Sequence, residues 1–101
     1  MIAYNVDDKI DKWFWDRGIT SNGKPMAQAI KTLEETTELL DAINKNDVDE
    51  IMDAVGDIYV TLRGVCLTQG IFLDDCIDKA YNEIKDRKGH LTPEGTFVKE
   101  T

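Results

Sequence analysis

The stretch Pro25–Gln69, PMAQAIKTLEETTELLDAINKNDVDEIMDAVGDIYVTLRGVCLTQ, carries two helical periods separated by a break at Asn44–Asp47. In the first, Met26, Ile30, Leu33, Thr37, Leu40 and Asn44 recur at three- and four-residue spacing, and Pro25 suits the first turn of a helix. This helix ends near Lys45 and Asn46, and its apolar stripe is read as core. In the second, Ile51, Val55, Ile58, Leu62 and Val65 repeat in the same way to about Gln69. Asp47 followed by Glu50 has the spacing of a capping box, with Asp in place of Ser or Thr, and marks where this helix starts. A connection this short favours an antiparallel helical hairpin, so the expected fold class is all-α.

The flanks extend the same architecture. Val6, Ile10, Trp13 and Phe14, after the acidic pair Asp7 and Asp8, predict a short helix over residues 5–16. Gly18 to Gly23, enclosing Thr20, Ser21 and Asn22, reads as a loop. Gly70 fits the position just past a helix end. Asp74 and Asp75 then open a last helix, with Ile77, Ala80, Tyr81 and Ile84 as its buried face. From Gly89 onward Gly, Pro and Thr break any period, so 89–101 is expected to be loop or a short irregular extension. Residues 1–101 form one domain with its core over about 5–88, without internal repeat or linker.

Composition excludes several classes of function. A net charge of −8 opposes binding to a nucleic-acid polymer, while a small anion recruited through metal ions stays compatible with it. No signal-peptide pattern opens the chain and no apolar run approaches the roughly 20 residues of a membrane span, so a soluble, cytoplasmic protein is expected. Cys66 and Cys76 lack zinc-site spacing and read as reduced, mostly buried thiols. A chain of this size buries only about 60–65% of its unfolded surface, which makes self-association a natural source of further stability.

Chemistry concentrates in the acids. At 100° per residue Glu35 and Glu38 share a helix face with Lys31 and Gln28, away from Leu33, Thr37 and Leu40. On the next helix Glu50, Asp53 and Asp57 fall together, beside the small residues Thr61 and Gly64, which permit close approach of a neighbour. In an antiparallel hairpin the two stripes can converge. Two carboxylates about 4 Å apart repel by roughly 4 kcal/mol at an effective dielectric near 20, so a hard divalent cation is the simplest remedy. All-oxygen ligands suit Mg²⁺ or Mn²⁺; a di-iron site would want Glu-x-x-His pairs, and His90 stands alone beyond the helices. No EF-hand loop fits, since the acids from Asp47 to Asp57 lack the glycine at the sixth loop position. A single i, i+3 acid pair is usually a solvated helix face; two matched stripes on consecutive helices argue for more. Glu50 is explained by its capping position alone, which favours Asp53 over Glu50 as a ligand.

With Lys31-x-x-Glu34-Glu35-x-x-Glu38-Leu39 and Asp53-Ala54-Val55-Gly56-Asp57, the chain resembles the MazG-type all-α nucleoside triphosphate pyrophosphohydrolases, from about Pro25 to Gly89. The resemblance implies a four-helix bundle-like MazG fold completed by dimerisation, as a homodimer or tetramer. It implies Mg²⁺-dependent hydrolysis of a nucleoside or deoxynucleoside triphosphate to the monophosphate and pyrophosphate, with housecleaning of non-canonical nucleotides as an expected role. Glu35, Glu38 and Asp57 match the E-x-x-E and E-x-x-D metal ligands of that family. Ala54 stands where the glutamate of the second pair is expected, and Asp53 one place earlier completes the set by sharing a helix face, with Glu50 as the substitute. Glu35 or Glu38 would act as the base.

The segment Lys79–Arg87 is similar to the last helix of the family, which carries over Lys79, Asn82, Lys85 and Arg87 as nucleotide contacts. Lys31, four residues before Glu35, either forms an ion pair with it along the helix or faces a phosphate. The Trp13-Phe14-Trp15 cluster could offer a ring for the base to stack on, but Trp13 and Trp15 lie on opposite helix faces, which favours core packing or an interface for at least one of them. The competing class is a non-catalytic helical interaction or regulatory module whose acid stripes are solvated; it accounts for composition but not for the matched acid spacing.

Overall fold

A computed structural model describes residues 5–100 of the chain. Five helices run α1 (Val6–Asp16), α2 (Ile19–Asn22), α3 (Pro25–Asn44), α4 (Val48–Gln69) and α5 (Leu73–Ile84), followed by strands β1 (Gly89–Leu91) and β2 (Phe97–Lys99). The fold class is all-α, as the periods predict. No helix among the described residues is long and apolar enough to cross a membrane.

Local chemistry sets the helix ends. Asn5 caps α1 by accepting from the Asp8 amide at 3.2 Å, and Asp47 caps α4 by accepting from the Glu50 amide at 3.1 Å. Between α3 and α4, Asn46 takes a left-handed φ of 55°, which asparagine tolerates better than most residues, and the Asp47 amide returns to the Ala42 carbonyl at 3.1 Å.

Two segments differ from expectation. The loop foreseen over Gly18–Gly23 is in part a single helical turn, α2, closed by the Asn22 and Gly23 amides donating to the Gly18 and Ile19 carbonyls at 3.0 and 2.7 Å. The tail foreseen as irregular forms an antiparallel hairpin pairing Gly89 with Lys99 and Leu91 with Phe97. Its turn closes through the Gly95 amide on the Thr92 carbonyl at 2.9 Å, with Gly95 at φ 88°. Pro93 and Gly95, which broke the helical period, are turn residues between two short extended runs, while Gly89 opens the first of them.

α3 and α4 pack as an antiparallel hairpin through small and polar residues. Ala42 and Ala54 are buried, and the Thr32 hydroxyl donates to the Thr61 hydroxyl at 2.8 Å. A Cβ at Gly64 would stand 2.5 Å from Gln28 Oε1 and 2.8 Å from the ring of buried Phe14, so glycine is what lets α1 and α3 approach α4 here. Arg63 fastens α1 to α4 with a bidentate pair to Asp11 at 2.8 and 2.6 Å, and the Tyr59 hydroxyl donates to Asp7 at 2.8 Å.

The long apolar side chains do not form the core expected of them. Met26, Leu33 and Leu40 are 70, 69 and 65% exposed, and Ile30, Val55, Ile77, Ala80, Tyr81 and Ile84 are exposed as well. Ala, Gly and Thr allow the hairpin to close on its small-residue face, which turns the bulkier α3 stripe outward. Among the described residues α5 packs only against α4, and none of them covers its apolar face. Accordingly the surface is 8162 Å², against about 5,800 Å² for a compact monomer of this mass. The radius of gyration is 16.4 Å, where about 13 Å is usual for this length.

Candidate metal-binding and active site

The hairpin brings three of the acids singled out in the sequence to one place. Glu35 and Glu38 project from α3 and Asp57 from α4, and one carboxylate oxygen of each lies within 4.8 Å of the others. Their convergence follows from register: Glu35 is one turn after Thr32, Asp57 is one turn before Thr61, and those hydroxyls are bonded across the antiparallel pair. Glu38 is exposed while Glu35 and Asp57 are half-buried, so the cluster opens to solvent on one side.

Charge crowding shows in the titration of the cluster. The Glu35 carboxyl is pushed up to about 7, first by its hydrogen bond with Glu38, then by burial and by the neighbouring Glu38, Asp57 and Glu34 charges. Asp57 is also raised, chiefly by burial and then by Asp53 and Glu38, although its hydrogen bond with Glu35 acts in the opposite direction. The Glu35 Oε2 atom is buried and has no hydrogen-bond partner. An orphaned carboxylate oxygen among acids that suppress each other's ionisation is what a hard cation satisfies, so this all-oxygen set fits Mg²⁺ or Mn²⁺.

Asp53 lies outside the tight group but close enough to bear on Asp57. It is exposed, and with Glu38, Asp41, Lys45 and Glu50 it lines a cavity of about 290 Å³ beside the cluster. Both residues considered for the fourth ligand, Asp53 and Glu50, thus stand on the same rim. Ala54, at the position of the missing glutamate, is buried.

The basic residues are not gathered with the acids. Lys31 is exposed and bonded to Glu34 at 3.1 Å, an along-helix pair, though with Glu34 three residues on rather than with the expected Glu35 four residues on. Lys79 is 3.8 Å from Glu83 on an exposed face of α5, and Asn82, Lys85 and Arg87 are exposed further along. Because α5 does not pack against α3, the chain by itself does not bring these four to the carboxylates. Trp13 stacks under the Arg17 guanidinium at 4.2 Å and meets Phe14 edge-on, while Trp15 is exposed.

Sequence reasoning missed the Thr32–Thr61 bond that sets the site's register and the contribution of Glu34 to Glu35. Thr61 had been noted only for its size; the signal for Thr32 was its place one turn before Glu35.

Comparison with known proteins yields consistent matches. Residues 7–88 match the phosphoribosyl-ATP pyrophosphohydrolase family. The chain is 34% identical over 70 residues, 69% of its length and 42% of the relative's, to an uncharacterized 18.2 kDa protein from the rep-hol intergenic region of Haemophilus phage HP1. It is 49% identical over 41 residues, 41% of its length and 16% of the relative's, to an uncharacterized protein of Acanthamoeba polyphaga mimivirus. It therefore spans less than half the length of either curated relative. No solved structure matches.

Proposed function

The chain belongs to the phosphoribosyl-ATP pyrophosphohydrolase family, and from that premise we propose that it is a Mg²⁺-dependent, MazG-type nucleotide pyrophosphohydrolase that converts a nucleoside or deoxynucleoside triphosphate to the monophosphate and pyrophosphate. The observation that carries this reading is the meeting of Glu35, Glu38 and Asp57 within 4.8 Å, with a buried orphan oxygen on Glu35. A helical interaction module has no use for carboxylates held against their own repulsion.

In this reading Glu35, Glu38 and Asp57 hold the cation, with Asp53 assisting from the rim. Bound Mg²⁺ supplies charge neutralisation for the phosphates and acidifies the attacking water. Water adds at phosphorus, the phosphoanhydride between the α- and β-phosphates breaks, and pyrophosphate leaves. The water's proton passes to an oxygen of Glu35 or Glu38 that the cation leaves unligated.

A second copy belongs to the same proposal. The uncovered stripes on α3 and α5 are those a homodimer or tetramer buries, and a partner's α5 is the means of bringing Lys79, Asn82, Lys85 and Arg87 to the phosphates.

The test is pyrophosphate release from canonical and modified nucleoside triphosphates and from phosphoribosyl-ATP, with Mg²⁺, Mn²⁺ or chelator, using wild type and Glu38→Gln. Metal-dependent release by wild type alone is expected, and the panel ranks the substrates. No release from any of them returns the chain to the interaction-module class.

A further inference from the structure

Two adjoining cavities lie between α1 and α4, and the larger reaches the carboxylate cluster. It measures about 500 Å³ and is walled by Asp57 of the cluster together with Val6, Ile10 and Val60. The other, of about 270 Å³, shares Ile10 and Val60 as walls and is bounded by Trp13. Val60 is three residues after Asp57 on the same face of α4, so these shared walls connect the acids to the indole. The Tyr59 hydroxyl also borders the groove but is committed to Asp7 at 2.8 Å. The Trp13 ring is set in place: the Arg17 guanidinium lies 4.2 Å from its centroid, and its edge contact with buried Phe14 has centroids 5.2 Å apart. Phe14 in turn packs at Gly64, which ties the indole to the helix that carries Asp57. Even so held, Trp13 is 45% exposed. A fixed aromatic ring beside apolar walls binds a flat ligand with little further ordering.

We propose that this groove is the subsite for the base of the nucleotide, with Ile10 and Val60 packing against the base and Trp13 as its stacking partner. The inference rests on the pyrophosphohydrolase reading, which puts the phosphates at Glu35, Glu38 and Asp57. From there the sugar and base extend along α4 toward Val60 and Trp13. What selects a nucleotide as occupant is the continuity of the two environments. Asp57 belongs both to the acids that suit a cation and to the wall of the groove, and a nucleotide has an anionic end for the one and a flat ring for the other. Stacking on an indole and packing against aliphatic walls engage the faces of the base.

Tryptophan fluorescence tests this without turnover, because the chain has two tryptophans and each can be observed alone, Trp13 in Trp15→Phe and Trp15 in Trp13→Phe. The probe is adenosine triphosphate with a methylene bridge between its α- and β-phosphates, added with Mg²⁺, and inorganic tripolyphosphate is the control without a base. The nucleotide should quench Trp13 saturably, tripolyphosphate should leave Trp13 unchanged, and Trp15 should respond to neither. Ile10→Asp should weaken nucleotide binding about 10-fold by calorimetry, with tripolyphosphate binding and the mass by light scattering unchanged. Equal quenching by tripolyphosphate, or quenching of Trp15 in place of Trp13, would overturn the proposal. So would dissociation of the folded Ile10→Asp protein into single chains, since the groove would then be an interface between copies. The Trp15→Phe result stands even if Ile10→Asp fails to fold. Pyrophosphate release by wild type without quenching of Trp13 defeats this inference alone; quenching without release keeps the subsite and defeats the hydrolase reading; the absence of both defeats both.

Discussion

The hydroxyls of Thr32 and Thr61 meet at 2.8 Å, and this single bond sets the register in which Glu35 on α3 faces Asp57 on α4. Each threonine is one turn from its acid, on helices that run in opposite directions, so sliding either helix by a turn would separate the carboxylates. Scaffold and site share one interface, made of small residues on the scaffold side and acids on the other.

Thr61→Val keeps the shape and removes the acceptor, while Thr32 retains the Gln28 carbonyl as partner at 3.1 Å. The expected cost is about 1 kcal/mol by urea denaturation, at the modest end for a lost hydrogen bond. Gly64→Ala should cost more, roughly 1–3 kcal/mol, because its Cβ would meet the Phe14 ring at 2.8 Å inside a packed contact. Equal stability of Gly64→Ala and wild type would show that the helices separate more easily than this packing implies.

Glu35 predicts a pH dependence with a definite sign. Its carboxyl titrates near 4.5 when unfolded and near 7 when folded, so between these values the folded chain keeps a proton that the unfolded chain has released. The Glu35 contribution to stability of the metal-free protein is therefore fullest below about 4.5 and is lost as pH rises through about 7, by roughly 1–3 kcal/mol. Thermal melts in chelator should show this decline, Glu35→Gln should flatten it, and Mg²⁺ should suppress it by taking the proton's place. A wild-type melting temperature that climbs from pH 5 to 7.5 in chelator would contradict it.

Asp53 and Asp57 separate by role. Asp57→Asn removes a member of the tight cluster and should lower kcat by at least about 10²-fold with the fold intact, as loss of a metal-ligand charge does. Asp53→Asn, acting from the exposed rim, should cost about 10-fold or less and weaken Mg²⁺ affinity more than turnover, as outer partners of a metal site do. Measuring kcat against Mg²⁺ concentration for both distinguishes them; equal loss would place Asp53 in the cluster itself.

The long helices were legible because α3 and α4 carry caps and periods that need no tertiary context: Asp47 bonds the Glu50 amide as its spacing implied, and Gly70 adopts the left-handed conformation expected past a helix end. Glu35, Glu38 and Asp57 were legible because a fixed helical pitch puts them on matching faces. Periodicity could not say which face a single chain buries. Leu33 and Leu40 mark an apolar stripe, but whether that stripe meets α4 or a second copy depends on how closely Ala42, Ala54 and Gly64 let the hairpin close. The β1–β2 hairpin escaped notice because its three-residue strands are too short to show alternation around Thr92–Gly95.

That ambiguity yields the last prediction. The surface in excess of a compact monomer, roughly 2,400 Å², is of the size that obligate homodimers bury, and the exposed apolar residues include Met26, Ile30, Leu33 and Leu40 along α3 and Ile77, Tyr81 and Ile84 along α5. Light scattering should give wild type the mass of a dimer or larger, and its melting temperature should rise with protein concentration, since folding and association are then linked. Leu33→Glu with Leu40→Glu places charges on that stripe without touching the carboxylate cluster, so it should shift the mass to a monomer and lower the melting temperature. Pyrophosphate release should fall in parallel if, as proposed, a partner's α5 brings its cations to the phosphates. A wild-type monomer that turns over substrate would show that the reaction needs no second copy.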